Sequence, residues 1–290
     1  MRAAAALAAQ ADVLIEAFRP GVAARIGLGP ENAKPDAVCL SISGFGQSGP
    51  YAERPCTDSV AQAFSGFVSL NEGADGAPHK AGAFIADMAT GIYAFSAVQV
   101  ALAARAQDAT PRRRVIDMSL MAATSNLLTH QIGEWGVQGK SAAPPNAPAG
   151  AYRAADGGWV MITLVREAEW PKLCGALGLS DIAADPRFLN FDLRWQNRDA
   201  LYAIIRAAFL KKPVAEWVAI LQGERLLADR VNTPLDWLGN EHVTAYGAAS
   251  RIPQPQLGAV PLPMLPGLGH FVAEAPALGQ HTNEVLAELR

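Results

Sequence analysis

Between Ala81 and Ala104 the chain carries one charge, the carboxylate of Asp87, set in Phe84-Ile85-Ala86-Asp87-Met88-Ala89-Thr90-Gly91. A carboxylate isolated in apolar sequence suits nucleophilic or acid/base work, and helix-end amides can hold it ionised. Gly82 and Gly91 leave room for a ligand to approach the main chain. The same residue suits a structural task, because Asp is a preferred N-cap and the Ala-rich run 91–106 reads as a helix. Both roles stay open on the residues alone.

Two further stretches carry chemistry. In Phe18-Arg19-Pro20-Gly21 a cation beside an aromatic ring follows a strand-like run. That pairing fits an anionic ligand, a phosphate above all, and equally a surface Arg over a packed Phe. Gly44-Phe45-Gly46-Gln47-Ser48-Gly49 spells G-x-G-x-x-G. A dinucleotide site needs those glycines to open a helix onto a pyrophosphate. Here Pro50-Tyr51-Ala52-Glu53-Arg54-Pro55 follows, which reads as loop, so a ligand-covering loop is expected and an NAD site is not.

The elements that must position these residues alternate. Residues 3–11 read as a helix, 12–16 as a strand, 30–34 as helical and 37–43 as a buried strand, the order of a parallel α/β unit. Helical periodicity over 58–70 places Val60, Ala61, Phe64, Phe67 and Val68 on a core face, and 71–79 reads as a loop. A strand at 114–120 and a helix at 121–135 complete a large α/β domain over 1–138. The Pro-rich stretch 139–150 reads as a linker. A smaller α+β domain is expected over 151–265, with a hairpin of 151–153 and 159–164 around a turn at 155–158. Helices follow at 170–177, 198–210 and 214–222, and Trp170, Phe188, Trp195 and Phe209 read as core. Residues 266–290 form a C-terminal segment ending in a short helix over 278–289.

Composition narrows the classes. Half of the 290 residues are hydrophobic and 18% are charged, with a formal net charge of −3, which excludes a disordered chain. Charges of both signs are interspersed, so nucleic acid is not an expected partner. Cys39, Cys56 and Cys174 are scattered without metal-ligand spacing, which implies a reducing compartment and no metal site. The N-terminus lacks the apolar core of a signal peptide. The apolar stretch 92–104 falls short of the ~20 residues that span a bilayer. A cytoplasmic protein with no membrane partner is expected.

Longer stretches of the chain resemble the class III CoA-transferase family, which holds formyl-CoA and carnitine CoA-transferases and the α-methylacyl-CoA racemases. The resemblance is carried by Ala11-Asp12-Val13-Leu14-Ile15-Glu16-Ala17-Phe18-Arg19-Pro20-Gly21, by Ser41-Ile42-Ser43-Gly44-Phe45-Gly46-Gln47-Ser48-Gly49-Pro50-Tyr51, by Arg54-Pro55 with Asp58-Ser59-Val60-Ala61-Gln62, and by Ala86-Asp87-Met88-Ala89-Thr90-Gly91. Farther along, Ala147-Pro148-Ala149-Gly150-Ala151-Tyr152, Val231-Asn232-Thr233 and Pro276-Ala277-Leu278-Gly279-Gln280-His281-Thr282 agree.

The resemblance implies a Rossmann-like large domain with a parallel sheet, its first strand missing from this chain, plus the smaller α+β domain. It implies CoA transfer between an acyl-CoA thioester and a small free carboxylic acid, with Asp87 as the nucleophile that becomes an aspartyl-CoA thioester. Ala17, Phe18, Arg19, Arg25, Arg54, Pro55, Cys56 and Thr57 fall where the family binds CoA, and Asp58 on an acidic position near the active site. Coenzyme A enters as a substrate, with no permanently bound cofactor. An interlocked homodimer is implied as well, with the C-terminal segment 266–290 returning to the large domain.

Two departures stand out. The racemases carry a His before the acidic residue, and here that position is Thr57, which makes racemase or isomerase chemistry the alternative activity. Family members also begin with a further segment of roughly 70 to 80 residues, the size of a structurally significant piece. The expectation is therefore a shortened member, a misplaced start or a chain completed by another polypeptide. A truncated, non-catalytic CoA-binding homologue is the corresponding alternative, and an apolar sheet edge should lie exposed.

Overall fold

In the computed structural model, residues 2–73, 76–139, 146–269 and 273–289 are described. The middle of the Pro-rich stretch read as a linker, 140–145, lies outside the described residues. The chain divides into two compact units, Met1–Ser141 with Leu278–Arg290, and Ala142–Ala277.

The first unit is built on a parallel sheet of β1 (Val13–Glu16), β2 (Val38–Ser43) and β3 (Arg114–Ser119) in the order β1-β2-β3. Val13 pairs with Val38 and Val38 with Arg114, so the three strands run in step toward Glu16, Ser43 and Ser119. Being central, β2 is buried on both faces, Val38, Leu40 and Ile42 on one and Cys39, Ser41 and Ser43 on the other. Val38 and Leu40 pack on one face against Ala94, Val98 and Ala101, while Cys39 meets Ala33 and Ala37. The helices of this unit before its C-terminal segment are α1 (Arg2–Gln10), α2 (Val22–Arg25), α3 (Asp58–Phe64), α4 (Ile85–Arg105), α5 (Leu120–Asn126) and α6 (Thr129–Gln138). Both outer strands expose apolar residues, Ile15 on β1 and Val115 on β3.

Three differences from the sequence reading matter. Helix α4 starts at Ile85, six residues before the expected helix, and so takes Asp87 into its first turn. With 21 residues it is long and apolar enough, by length and composition alone, to cross a bilayer, beyond what the stretch 92–104 suggests. Its residues Ala94, Val98 and Ala101 pack on the sheet. Helix α3 stops at Phe64, because Gly66 turns into the left-handed region at φ 88° before a 3₁₀ turn at Phe67–Leu70. Of the expected core face only Ala61 is buried, whereas the polar Asp58 and Gln62 are both buried. The helix expected over 121–135 is broken at Leu127-Leu128 into α5 and α6.

The second unit carries an antiparallel sheet of β4 (Gly150–Arg153), β5 (Trp159–Thr163) and β6 (Leu227–Arg230), with α7 (Trp170–Ala176), α8 (Phe191–Gln196), α9 (Arg198–Phe209) and α10 (Val214–Gly223). Trp170, Phe188 and Phe209 are buried in its core and Trp195 packs against it. Helices α11 (Pro234–Leu238) and α12 (Glu241–Tyr246) then lead to a hairpin of β7 (Ala249–Gln254) and β8 (Gly258–Pro263), none of which the sequence reading marked. The last helix, α13 (Thr282–Ala287), belongs to the first unit and is shorter than expected.

Candidate active site

Open parallel sheets offer ligand sites beyond the carboxyl ends of their strands, where the chain leaves for the next helix. Two such exits build a cleft of about 170 Å³ in the first unit. The exit from β1 contributes Ala17, Phe18, Arg19 and Pro20. The exit from β2 contributes Ser43 and Gly44, and the return toward α3 contributes Arg54, Pro55 and Cys56. Six of the eight residues expected to hold CoA thus line one cavity. Arg25, at the end of α2, reaches back to within 3.6 Å of the position a side chain on Gly21 would take, beside the cleft and not in its wall. Thr57 stands at the N-cap of α3 in extended conformation, its side chain making no cap bond.

The Gly44 to Gly49 loop is held in place from several sides. Gly46 N–H donates to Ser43 Oγ at 2.9 Å, and Gln47 N–H to Asp117 Oδ2 on β3 at 2.8 Å. A side chain on Gly44 would meet Cys56 Cβ at 2.2 Å, so only glycine lets these two segments touch. The loop runs into turns, and the next helix starts at Asp58, so the glycines open no helix.

Arg54 is exposed, and its guanidinium carbon lies 5.4 Å from the Phe45 ring, 5.3 Å from Tyr51 and 5.9 Å from Phe64. These rings meet edge to face with centroids 5.0–5.9 Å apart. Such contacts orient a cation without neutralising it. None of the ion pairs among the described residues involves Arg19, Arg25 or Arg54. Arg19 and Arg54 in the wall, with Arg25 near Gly21, outnumber the one carboxylate of the lining, Glu53, and none of the three is in an ion pair among the described residues, which suits an anion with several phosphates. Burial pushes the Cys56 thiol up despite the opposing charge of Arg54, so this residue is a wall and not a thiolate.

Asp87 is the third residue of α4, after the N-cap Phe84. The cap comes from elsewhere: Asp58 Oδ1 on α3 accepts from Ala86 N–H at 2.8 Å and from Asp87 N–H at 3.4 Å. With those amides taken, the Asp87 carboxylate is exposed and accepts no hydrogen bond among the described residues. The capping role open to Asp87 on sequence therefore belongs to Asp58. Partial desolvation first, and the Asp58 charge second, raise Asp87 above the ordinary carboxylate range. Its charge is felt by Cys56, which ties it to the cleft.

Sequence reasoning missed two parts of this arrangement. One is Gln62, whose signal was the spacing Asp58-x-x-x-Gln62, two polar residues on one face of a helix that has to be buried. The other is the ring of Phe45, Tyr51 and Phe64 around Arg54, drawn from three separate stretches. Among the described residues no group of three or more His, Cys, Asp and Glu side chains is placed to hold a metal ion.

Residues 1–282 match the family described as CoA-transferase family III. The chain belongs to that family. Within CoA-transferase family III it is 30% identical to the succinyl-CoA:glutarate CoA-transferase of Mus musculus, over 98% of this chain and 67% of the relative. It is 35% identical to the acetyl-CoA:oxalate CoA-transferase of Acetobacter aceti, over 73% of this chain and 56% of the relative. The crystal structure of a CAIB/BAIF family protein from Brucella suis superposes with a TM-score of 0.85 at 31% identity, covering all of this chain and 78% of that one. The chain thus spans about two-thirds or less of the length of these curated relatives.

Proposed function

We propose that the protein moves CoA between an acyl-CoA thioester and a free carboxylic acid, with Asp87 as the nucleophile. The observation that carries this reading is the carboxylate of Asp87 itself, exposed in the first turn of α4 and relieved of capping by Asp58. Its attack on the acyl carbonyl expels the CoA thiolate and leaves a mixed anhydride. The thiolate then attacks the Asp87 carbonyl, releasing the first acid and leaving an aspartyl-CoA thioester. The incoming carboxylate repeats both steps in reverse order, freeing Asp87 and forming the new acyl-CoA. A carboxylate fits because each covalent stage stays about as reactive as the thioester it replaces. Arg19, Arg25 and Arg54 bind the CoA phosphates, and the Phe18 and Gly44 exits hold the rest of the cofactor portion against the strand ends.

The relatives are named for succinyl, acetyl, glutarate and oxalate groups. Short acyl donors with mono- and dicarboxylate acceptors are therefore the first substrates to assay. Thr57 stands where a racemase needs an imidazole, so no exchange of the acyl α-proton with solvent deuterium is expected. The test is steady-state CoA exchange between acetyl- or succinyl-CoA and a panel of carboxylates, followed by the appearance of the new thioester. Turnover that vanishes in Asp87→Ala supports the reading, and undiminished turnover in that variant overturns it.

A further inference from the structure

Resting on this transferase reading, we propose that Gln62, with Asp58, is a positioning residue that fixes the stretch 81–87 and thereby aims the Asp87 carboxylate. Gln62 is fully buried, and both ends of its amide are used. Its Oε1 accepts from Ala81 N–H at 2.9 Å. Its Nε2 donates to Asp58 Oδ2 at 2.6 Å and to Ala83 O at 3.5 Å. This fixes the amide orientation, because the flipped group would set its oxygen against two acceptors. The other Asp58 oxygen holds Ala86 and Asp87 N–H, as described above.

Apart from the ladder of α4 and its local turns, the stretch 81–87 is hydrogen-bonded to the rest of the unit by Asp58 and Gln62 alone among the described residues. The two side chains stand one turn apart on α3 and grip the stretch at both ends, Gln62 at 81 and 83, Asp58 at 86 and 87. Between the grips lies Phe84, which is 69% exposed and packs little, so that at the entry to α4 burial begins only at Ala86. Burying an amide and a carboxylate side by side is costly unless every bond is made. Here they are made to the residues that lead into Asp87. A displacement of the reacting group by about 1 Å costs on the order of 100-fold in rate, which sets the scale of what such a clamp contributes.

The experiment pairs kinetics with amide hydrogen exchange of the whole chain. Gln62→Leu keeps the volume and removes all three bonds. Expected are a kcat lower by about 100-fold, a KM for acyl-CoA within about threefold of the parent, and exchange of the 81–87 amides faster by at least about tenfold while β2 and β3 stay protected. Should Gln62→Leu fail to fold, Gln62→Asn retains the amide one methylene short and should show the same pattern at smaller size. An unchanged kcat, a rise in KM alone, or exchange no faster at 81–87 than in the parent would overturn the proposal. If the parent turns over no acyl-CoA the transferase reading fails by itself. Exchange at 81–87 then still decides whether the clamp exists.

Discussion

Arg194 in the second unit and Asp87 in the first are both charged groups among apolar residues, and the chain treats them in opposite ways. Arg194 is fully buried. It pairs with Glu167, donates to Ala147 O at 3.0 Å and to Phe188 O at 2.9 Å, and stacks over Trp170 and Phe191. Each of the three guanidinium nitrogens is bonded, which joins α8 to the loop before β4, to Phe188 and to the 3₁₀ turn at Glu167–Glu169. Asp87 is exposed and spends nothing, because Asp58 has taken over the amides it would otherwise cap. A charge whose nitrogens are all bonded is a structural member, whereas an exposed charge that accepts no hydrogen bond among the described residues is available to a ligand. The difference separates stability from chemistry, and substitutions should separate them too.

The largest effect is expected at Asp87. Asp87→Ala should lower CoA exchange by at least about 10³-fold, or about 4 kcal/mol of transition-state stabilisation, with no loss of thermal stability. The sign at neutral pH follows from linkage: folding raises this carboxyl, so the folded state binds its proton more tightly and loses stability as pH rises through the raised value. Removing the group should leave the melting temperature at pH 7 unchanged or slightly higher, a trade seen where activity strains a site. A drop of several degrees on a melting curve would break the contrast with Arg194.

Next in size is Glu167→Ala, which strips a buried cation of its partner. A cost of about 3 kcal/mol in urea unfolding is expected, the lower end for this kind of loss because the Glu167 side chain is half-exposed. The activity of the remaining folded protein should hardly change. Arg54→Ala should raise KM for acyl-CoA about tenfold, roughly 1.4 kcal/mol, with Arg54→Lys recovering only part, since an ammonium cannot present the planar fork. Both KM values should rise with added salt. The smallest effect is a shift in pH. Activity requires ionised Asp87 and should fall as pH drops through a value above the ordinary carboxylate range. Asp58→Asn also breaks one side of the Asp58–Gln62 clamp and so lowers kcat, but in the activity that remains the loss of the neighbouring charge should move that limb to lower pH in an initial-rate profile.

Much of this was legible in the sequence, for definite reasons. The strands at 13–16, 38–43 and 114–119 are short apolar runs between breakers, so the parallel α/β order followed from pattern alone. The rejection of the glycine fingerprint followed from Pro50 and Pro55, and the chain does run through turns to Asp58. Gathering Phe18 and Arg19 with Arg54 and Cys56 required the resemblance, because nothing local says that two strand exits share a cleft. The start of α4 was misread because its cap sits 28 residues away in sequence, on α3. The burial of Asp58 and Gln62 was misread because hydrophobic periodicity assigns polar residues to the solvent. The hairpin of β7 and β8 was missed because Pro253, Pro261 and Pro263 lie inside its strands, where they argue against pairing except at an edge.

Whether Asp87 becomes the acyl-bearing group is decided by peptide-level mass spectrometry of the protein after incubation with succinyl- or acetyl-CoA and quenching with hydroxylamine. An activated aspartyl carbonyl is then converted to a hydroxamate, and that mass change is expected on the peptide bearing Asp87 and on no other. A hydroxamate on a different carboxylate, with Asp87 unmodified while CoA exchange proceeds, would contradict it.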